Sequence, residues 1–97
     1  MKMTNSNANY QYPLDDTWTT AEIITVTTLY QQVEAANETG TETAALLAAY
    51  RAFKTVVPAK SEEKRLGREF EAASGYSIYR TIRAANASNK QRFKVQG

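Results

Sequence analysis

The sequence predicts an all-α fold, a compact irregular array of three to four short helices. The clearest observation is the stretch from Leu46 to Val57, where apolar residues recur at intervals of four, three and four positions. This spacing places them on one face of a helix. Residues that stop helices, Gly40, Pro58 and Gly75, divide the chain into short segments. A chain of 97 residues forms one domain and buries roughly 60–65% of its unfolded surface.

The chain before the first helix divides into two parts. Residues 1–9 are polar and rich in asparagine, and they are predicted to be a disordered leader. The segment from Tyr10 to Trp18 is aromatic and contains a proline, so it is predicted to be an extended lead-in. Its larger side chains are expected to lie on the helical core: Tyr12, Leu14 and Trp18.

The first helix has a clear start signal. Thr19 is predicted to be the N-cap, and Glu22 three positions later completes a capping box. One apolar face follows, made of Ile23, Val26, Tyr30 and Val33. Gly40 is predicted to end this helix in a left-handed conformation.

The second helix is predicted to begin at a cap formed by Thr41 or Thr43 and to end before Pro58, whose ring removes a backbone donor. Its inner face consists of Leu46, Tyr50, Phe53 and Val57. Phe53 lies at the centre of this face, so we expect its side chain to be almost fully buried.

The third helix is predicted to start at Ser61 as the N-cap, with Glu62 and Glu63 at the positive end of the helix dipole. Its inner face consists of Leu66, Phe70 and Ala73. Gly75 ends this helix.

The fourth helix is predicted to begin at Ser77, and its inner face consists of Ile78, Ile82 and Ala85. After Ala87 the apolar spacing is lost, so residues 87–97 are predicted to be a frayed polar tail. The single helical domain is therefore expected to cover residues 10–86.

Composition argues against an enzyme. The chain contains no cysteine and no histidine, which excludes disulfides, cysteine nucleophiles and histidine-based triads. The adjacent carboxylates Asp15 and Asp16 fit a turn, and Glu62 and Glu63 fit a helix start. Glycines are isolated, so no phosphate-binding loop is present. We expect no catalysis, no cofactor and no metal.

The sequence also bears on location. Its first residues lack the apolar region of a secretory signal. No stretch approaches the roughly 20 apolar residues that a membrane span requires. The expected location is the cytoplasm, without membrane association.

Charge is unevenly distributed along the chain. Residues 1–45 carry one lysine against six carboxylates, a net charge of −5, whereas residues 46–97 carry a net charge of +7. This split fits an acidic helix packed beside basic ones, head-to-tail self-association, or a basic binding face. The expected state is a monomer or a weakly self-associating protein.

The candidate partner-binding residues lie on the second and fourth helices: Arg51, Lys54, Tyr76, Tyr79, Arg80 and Arg83. Interleaved arginines and tyrosines can bind phosphates while stacking on bases, and they also serve as anchors in protein interfaces. Two alternatives remain open. The cations could form a solvated face, or they could pair internally with Asp15, Glu22 or Glu34.

Three blocks of sequence resemble one family, the YktA-like family of small uncharacterised proteins from low-GC Gram-positive bacteria. The blocks are Tyr12-Pro13-Leu14-Asp15 with Trp18, Thr19 and Glu22; the run from Tyr50 to Lys64 that contains Val57-Pro58; and Gly75-Tyr76-Ser77-Ile78-Tyr79-Arg80-Thr81. The resemblance implies a small all-α fold in a bacterial cytoplasm. It implies no activity and no catalytic residue.

Two functions follow from these observations. The first is a protein-interaction or regulatory module without catalysis, binding a protein partner that the sequence does not identify. The alternative is an accessory protein that binds RNA or DNA through the arginines, lysine and tyrosines of the second and fourth helices.

Overall fold

A computed structural model describes residues 10–95 of the chain. The elements follow one another as α1 (Thr20–Glu38), β1 (Thr41–Glu42), α2 (Thr43–Val56), α3 (Lys60–Ser74), α4 (Ile78–Ala87) and β2 (Arg92–Phe93). The predicted all-α fold is confirmed, with one two-residue strand pair added to it. The predicted leader, residues 1–9, lies outside the described residues.

Both ends of α1 form as the sequence predicts. The Thr19 hydroxyl accepts from the Glu22 amide at 3.1 Å, and the Glu22 carboxylate accepts from the Thr19 amide at 2.9 Å. These two bonds are the reciprocal contacts of a capping box. At the other end Gly40 adopts a φ of 100° and donates to the Ala35 carbonyl at 2.6 Å, which lets the chain leave the helix.

The hydrophobic core receives side chains from all four helices. Its fully buried members are Val26, Leu29, Tyr30, Val33, Ala36, Leu46, Phe53, Leu66 and Phe70. On the predicted inner face of α2, Leu46, Phe53 and Val57 are buried, whereas Tyr50 is only half-buried. The Tyr30 and Phe70 rings stack with centroids 4.8 Å apart and planes 10° apart, so an aromatic contact joins α1 to α3.

The predicted N-cap of α2 is wrong. Glu42 occupies the N-cap position without a side-chain hydrogen bond, and Thr41 belongs to β1. The Thr43 hydroxyl donates instead to the Lys90 carbonyl at 2.8 Å. Both threonines are thus used in contacts with the end of the chain, because β2 passes beside the start of α2.

The predicted start of α3 is also wrong by two residues. Ala59, not Ser61, is the N-cap. Ala73 is exposed, and Ser74 takes the buried position and donates from its hydroxyl to the Phe70 carbonyl at 2.7 Å. This bond satisfies the buried hydroxyl within its own helix.

The start of α4 agrees with the prediction. The Ser77 hydroxyl accepts from the Arg80 amide at 3.1 Å, as an N-cap does. Ile78, Ile82 and Ala85 are buried, as their spacing predicts.

The end of the described chain differs from the frayed tail that the sequence predicts. Strand β2 pairs antiparallel with β1, with Thr41 opposite Phe93, and Phe93 is only 8% exposed. The Val95 amide donates to the Ala36 carbonyl of α1 at 2.8 Å. The expectation of fraying after Ala87 is therefore wrong as far as Val95. A strand pair of two residues leaves no periodic pattern in a sequence.

The segment from Tyr10 to Trp18, called the N-terminal strap below, crosses α1 without regular secondary structure. The Tyr12 ring lies 5.1 Å from the Tyr30 ring, and the Tyr30 hydroxyl donates to the Pro13 carbonyl at 2.8 Å. Tyr12 and Trp18 are half-buried, in line with the prediction, but Leu14 is 48% exposed.

Within the part of the chain that the structure describes, no helix combines the length and the apolar character that a membrane crossing requires.

Candidate functional site

An open groove of about 640 Å³ lies where α2, α3 and the start of α4 meet. A volume of this size is typical of sites that hold a small molecule or a side chain of a partner. The lining residues are Tyr50 from α2; Lys60, Glu63, Lys64, Gly67, Arg68 and Glu71 from α3; and Ser77, Ile78 and Tyr79 at the start of α4.

One wall of the groove is a row of cations on α3. Lys60, Lys64 and Arg68 are four residues apart, so they lie along one face of the helix. A different face of the same helix carries Leu66 and Phe70, which are fully buried in the core. Burial of that apolar face fixes the rotation of α3, and the cationic row is thereby directed to the groove.

One of the two acids that line the groove, Glu63, is neutralised from α2. Glu63 accepts hydrogen bonds from the Lys54 ammonium at 2.5 Å and from the Tyr50 hydroxyl at 2.6 Å. Burial alone would raise the pKa of Glu63, but these two hydrogen bonds outweigh burial and lower its pKa below the ordinary value. The same contact and burial raise the pKa of Tyr50 to about 12. Glu63 therefore stays ionised and paired at neutral pH.

The three cations of the row are not neutralised in this way. Among residues 10–95, neither Lys60, Lys64 nor Arg68 forms an ion pair with a carboxylate within 4.0 Å. Glu71 is the other acid among the lining residues. With Glu63 engaged by Lys54, the groove carries more positive than negative charge.

The opposite wall is the first turn of α4. Ser77 and Ile78 line the groove there, and the N-terminal end of a helix carries a partial positive charge. Tyr79 extends beside them and is 70% exposed, the most exposed large hydrophobic side chain of the described chain. This wall adds an aromatic surface and further positive potential.

The six sequence-predicted site residues have different environments. Lys54 is engaged with Glu63, and the Tyr76 hydroxyl donates to Glu38 at 2.9 Å. Burial and this hydrogen bond raise the pKa of Tyr76 to about 12. The remaining four are exposed: Arg51, Tyr79, Arg80 and Arg83.

Only Tyr79 of those six lines the groove. In the described part of the chain, none of the four predicted cations pairs with Asp15, Glu22 or Glu34. The internal pairing that the sequence left open is thus not formed with those acids.

The site residues predicted from the sequence did not include Lys60, Lys64 or Arg68. Their four-residue spacing was a readable signal. What the sequence did not reveal is which acids would neutralise which bases, because Glu62, Glu63, Glu69 and Glu71 are interspersed among them.

The groove combines groups that can bind an anionic ligand with groups that can contact an apolar one. It presents ammonium and guanidinium donors, an exposed phenol and a mostly buried aliphatic side chain, Ile78. Across the described residues, no group of three or more Asp, Glu, His or Cys side chains is arranged to hold a metal ion.

Comparison with known proteins extends over nearly the whole chain. The sequence model of the uncharacterised protein family UPF0223 matches residues 9–94, which include the N-terminal strap and β2. A UPF0223 protein of Lactiplantibacillus plantarum is 73% identical over 96 residues, covering 99% of both chains.

Relatives from two other genera are similar over most of their length. A UPF0223 protein of Enterococcus faecalis is 53% identical and covers 90% of this chain and 95% of its own. One of Streptococcus pneumoniae is 51% identical and covers 92% of this chain and 97% of its own. These are low-GC Gram-positive bacteria, as the sequence blocks indicated. The chain belongs to the UPF0223 family of uncharacterised bacterial proteins.

Proposed function

We propose that the protein is a non-catalytic interaction module that binds an acidic segment of a partner protein in the groove between α2, α3 and α4. One observation carries this proposal: Lys60, Lys64 and Arg68 line the groove without an ion-pair partner among the described residues. Unpaired cations in a concave site favour a ligand of opposite charge.

The spacing of the cations suits a peptide. Residues four apart on a helix are separated by about 6 Å along its axis. Alternate residues of an extended chain are about 6.7 Å apart. Carboxylates at alternate positions of an extended segment, or one turn apart on a helix, can therefore follow the row on α3.

The groove also offers an anchor for an apolar side chain. Tyr79 stands exposed on one wall, and Tyr50 and Ile78 lie at the junction of the helices. Aromatic and arginine side chains contribute much of the energy in protein interfaces. The expected ligand is therefore an acidic segment that carries at least one apolar or aromatic residue.

RNA or DNA is the alternative partner, and the groove favours it less. Glu63 is paired with Lys54, and Glu71 also lines the groove. The excess of positive charge is therefore small and confined to three cations, whereas nucleic-acid binding relies on many phosphate contacts. The proposal keeps the cytoplasmic location and the monomeric or weakly associating state expected from the sequence.

The test measures binding of two fluorescent probes by polarisation. One probe is a short peptide in which glutamates alternate with leucine and phenylalanine, and the other is a single-stranded RNA. The test variant is Lys60→Glu/Lys64→Glu/Arg68→Glu. A matched control, Arg51→Glu/Arg80→Glu/Arg83→Glu, makes the same change of charge at exposed sites outside the groove.

We expect the peptide to bind the natural chain and the control, and to lose at least about tenfold in affinity with the groove variant. Loss with the control alone would assign binding to the patch predicted from sequence. Binding of RNA but not peptide, weakening steeply with salt, would overturn the proposal in favour of a nucleic acid. Circular dichroism must show that both variants remain helical.

A further inference from the structure

Two carboxylates on α1 each receive a tyrosine hydroxyl from a different part of the chain. The Tyr12 hydroxyl of the N-terminal strap donates to Glu34 at 2.7 Å. The Tyr76 hydroxyl, from the turn between α3 and α4, donates to Glu38 at 2.9 Å. Glu34 and Glu38 are one helical turn apart, so two like charges face the same side of α1.

Glu34 has little to compensate its charge. It is half-buried, and among the described residues it forms no ion pair. The titratable groups that face it are Glu38 on its own helix, Tyr12 of the N-terminal strap and Tyr76 of the α3–α4 turn.

The charged groups of α3 act on the neighbouring tyrosine rather than on Glu34. Arg65 and Glu69 both influence the Tyr30 hydroxyl, which lies under the N-terminal strap and donates to Pro13. No described cation therefore offsets the repulsion between Glu34 and Glu38.

This environment disfavours the carboxylate form. Burial and the negative charge of Glu38 raise the pKa of Glu34 to about 7 from an ordinary value of 4.5. The hydrogen bond from Tyr12 favours the ionised form, but one donor does not outweigh burial and a like charge together. Glu34 thus changes charge near neutral pH, although a glutamate normally does not.

The N-terminal strap is well placed to respond to this charge. It contacts the core through Tyr12, which lies over Tyr30, while Leu14 is 48% exposed. Within the described residues the Tyr10 hydroxyl is buried without a hydrogen-bond partner, and such a group weakens the closed arrangement. The strap has no helix or strand hydrogen bonds of its own, and half-buried side chains hold it on the core. We therefore expect it to open at a lower cost than the helices.

We propose that Glu34 is a proton-sensitive latch for the N-terminal strap, which stays closed over Tyr30 while Glu34 is protonated and loosens when Glu34 ionises. Opening of the strap hydrates the carboxylate and removes the penalty of burial. The protonated carboxyl keeps an oxygen that accepts from Tyr12, so the closed form loses no contact on protonation.

The direction of the pH effect follows from the difference between the pKa of Glu34 when the strap is closed and its pKa when the strap is open. Opening the strap removes the burial but not the nearby charge of Glu38, so the pKa of Glu34 is lower in the open form than the value of about 7 in the closed form. Between these two pKa values the closed form binds more protons than the open form. Closure therefore weakens as pH rises through this interval, by at most about tenfold per pH unit, and no further above pH 7. The measured effect will be smaller, because Glu34 retains part of its exposure.

The sequence supplies a clean reporter for this proposal. Trp18, at the end of the N-terminal strap, is the only tryptophan, and there is no histidine to titrate in the same range. We would follow Trp18 emission from about pH 5 to about pH 8 in the natural chain and in Glu34→Gln. Glutamine keeps an acceptor for Tyr12 but does not titrate, and the α-amino group is common to both proteins.

In the natural chain we expect Trp18 emission to shift to longer wavelength as pH rises, levelling off near pH 7, and to stay constant in Glu34→Gln. In Glu38→Gln the transition should move to lower pH, because the repelling charge is gone. A constant signal in the natural chain, or the same transition in Glu34→Gln, would overturn the proposal. A pH-dependent melting temperature with constant Trp18 emission would overturn it too, since stability and not the strap would then respond.

Discussion

Two faces of α3 carry charged side chains that differ in whether they form ion pairs. On one face Arg65 bridges Glu62 at 2.6 Å and Glu69 at 3.0 Å. On the groove face Lys60, Lys64 and Arg68 have no such partner among the described residues. On the first face one cation is paired with two carboxylates, whereas the second face keeps an excess of positive charge.

The difference shows that the number of charges on a helix says little about its binding capacity. Exposed pairs one turn apart stabilise a helix only weakly, so the pairs of Arg65 add little to the stability of the fold. On the groove face, Glu63 is paired with Lys54 of α2. This contact between α2 and α3 leaves an excess of positive charge in the groove, which the proposed acidic ligand would neutralise.

The largest expected effect comes from removing the contact that orients both faces. Phe70→Ala deletes a fully buried ring stacked on Tyr30 and should cost about 3–5 kcal/mol of unfolding free energy. Since such a domain has only about 5–15 kcal/mol in total, the melting temperature should fall steeply. Tyr79→Ala removes an exposed ring and is the control, with little change expected. Equal melting temperatures for Phe70→Ala and the natural chain would mean that α3 is oriented by other contacts.

A smaller loss of unfolding free energy is expected from Phe93→Ala. This variant tests whether the stability of the fold can change without a change in groove binding. Phe93 is buried at the edge of the core, away from the groove lining, and its loss should cost about 2–4 kcal/mol. Phe93→Leu retains most of the volume and should cost less. At a temperature where the variant is folded, peptide binding should be unchanged. A melting curve like that of the natural chain would mean that Phe93 does not stabilise the core, and it would favour the frayed tail that the sequence predicts.

The smallest effect should come from the paired face itself. Arg65→Gln breaks both ion pairs, and because these pairs are exposed to solvent the midpoint of chemical denaturation should hardly change. Peptide binding should not change, because Arg65 does not line the groove. A clear loss of peptide affinity would show that the two faces of α3 are electrostatically coupled, and that the paired face is not independent of the groove.

The sequence was most informative where structure depends on neighbouring residues. The capping box of Thr19 and Glu22 and the cap at Ser77 formed as predicted, because each needs only a donor and an acceptor three residues apart. Most residues of the buried faces of α1, α2 and α4 follow from helical spacing in the same way, although Ile23 and Tyr50, predicted on these faces, are only half-buried.

Long-range contacts were beyond the reach of such patterns. Thr43 looked like a helix cap, yet its hydroxyl binds the carbonyl of Lys90. Lys54 looked available to a partner, yet it pairs with Glu63 on the next helix. In both cases the sequence offered one local role and tertiary packing supplied another, and the cationic row of the groove was missed for the same reason.

The pairing of β1 with β2 has a consequence for the order of folding. It brings Thr41 against Phe93, across more than half of the chain, so closing this contact costs more entropy than closing any helical turn. The helices are expected to assemble first and the strand pair last. Unfolding should begin there, and the amides of Thr43 and Val95, which donate to Gln91 and Ala36, should exchange with solvent before those of the buried helical core.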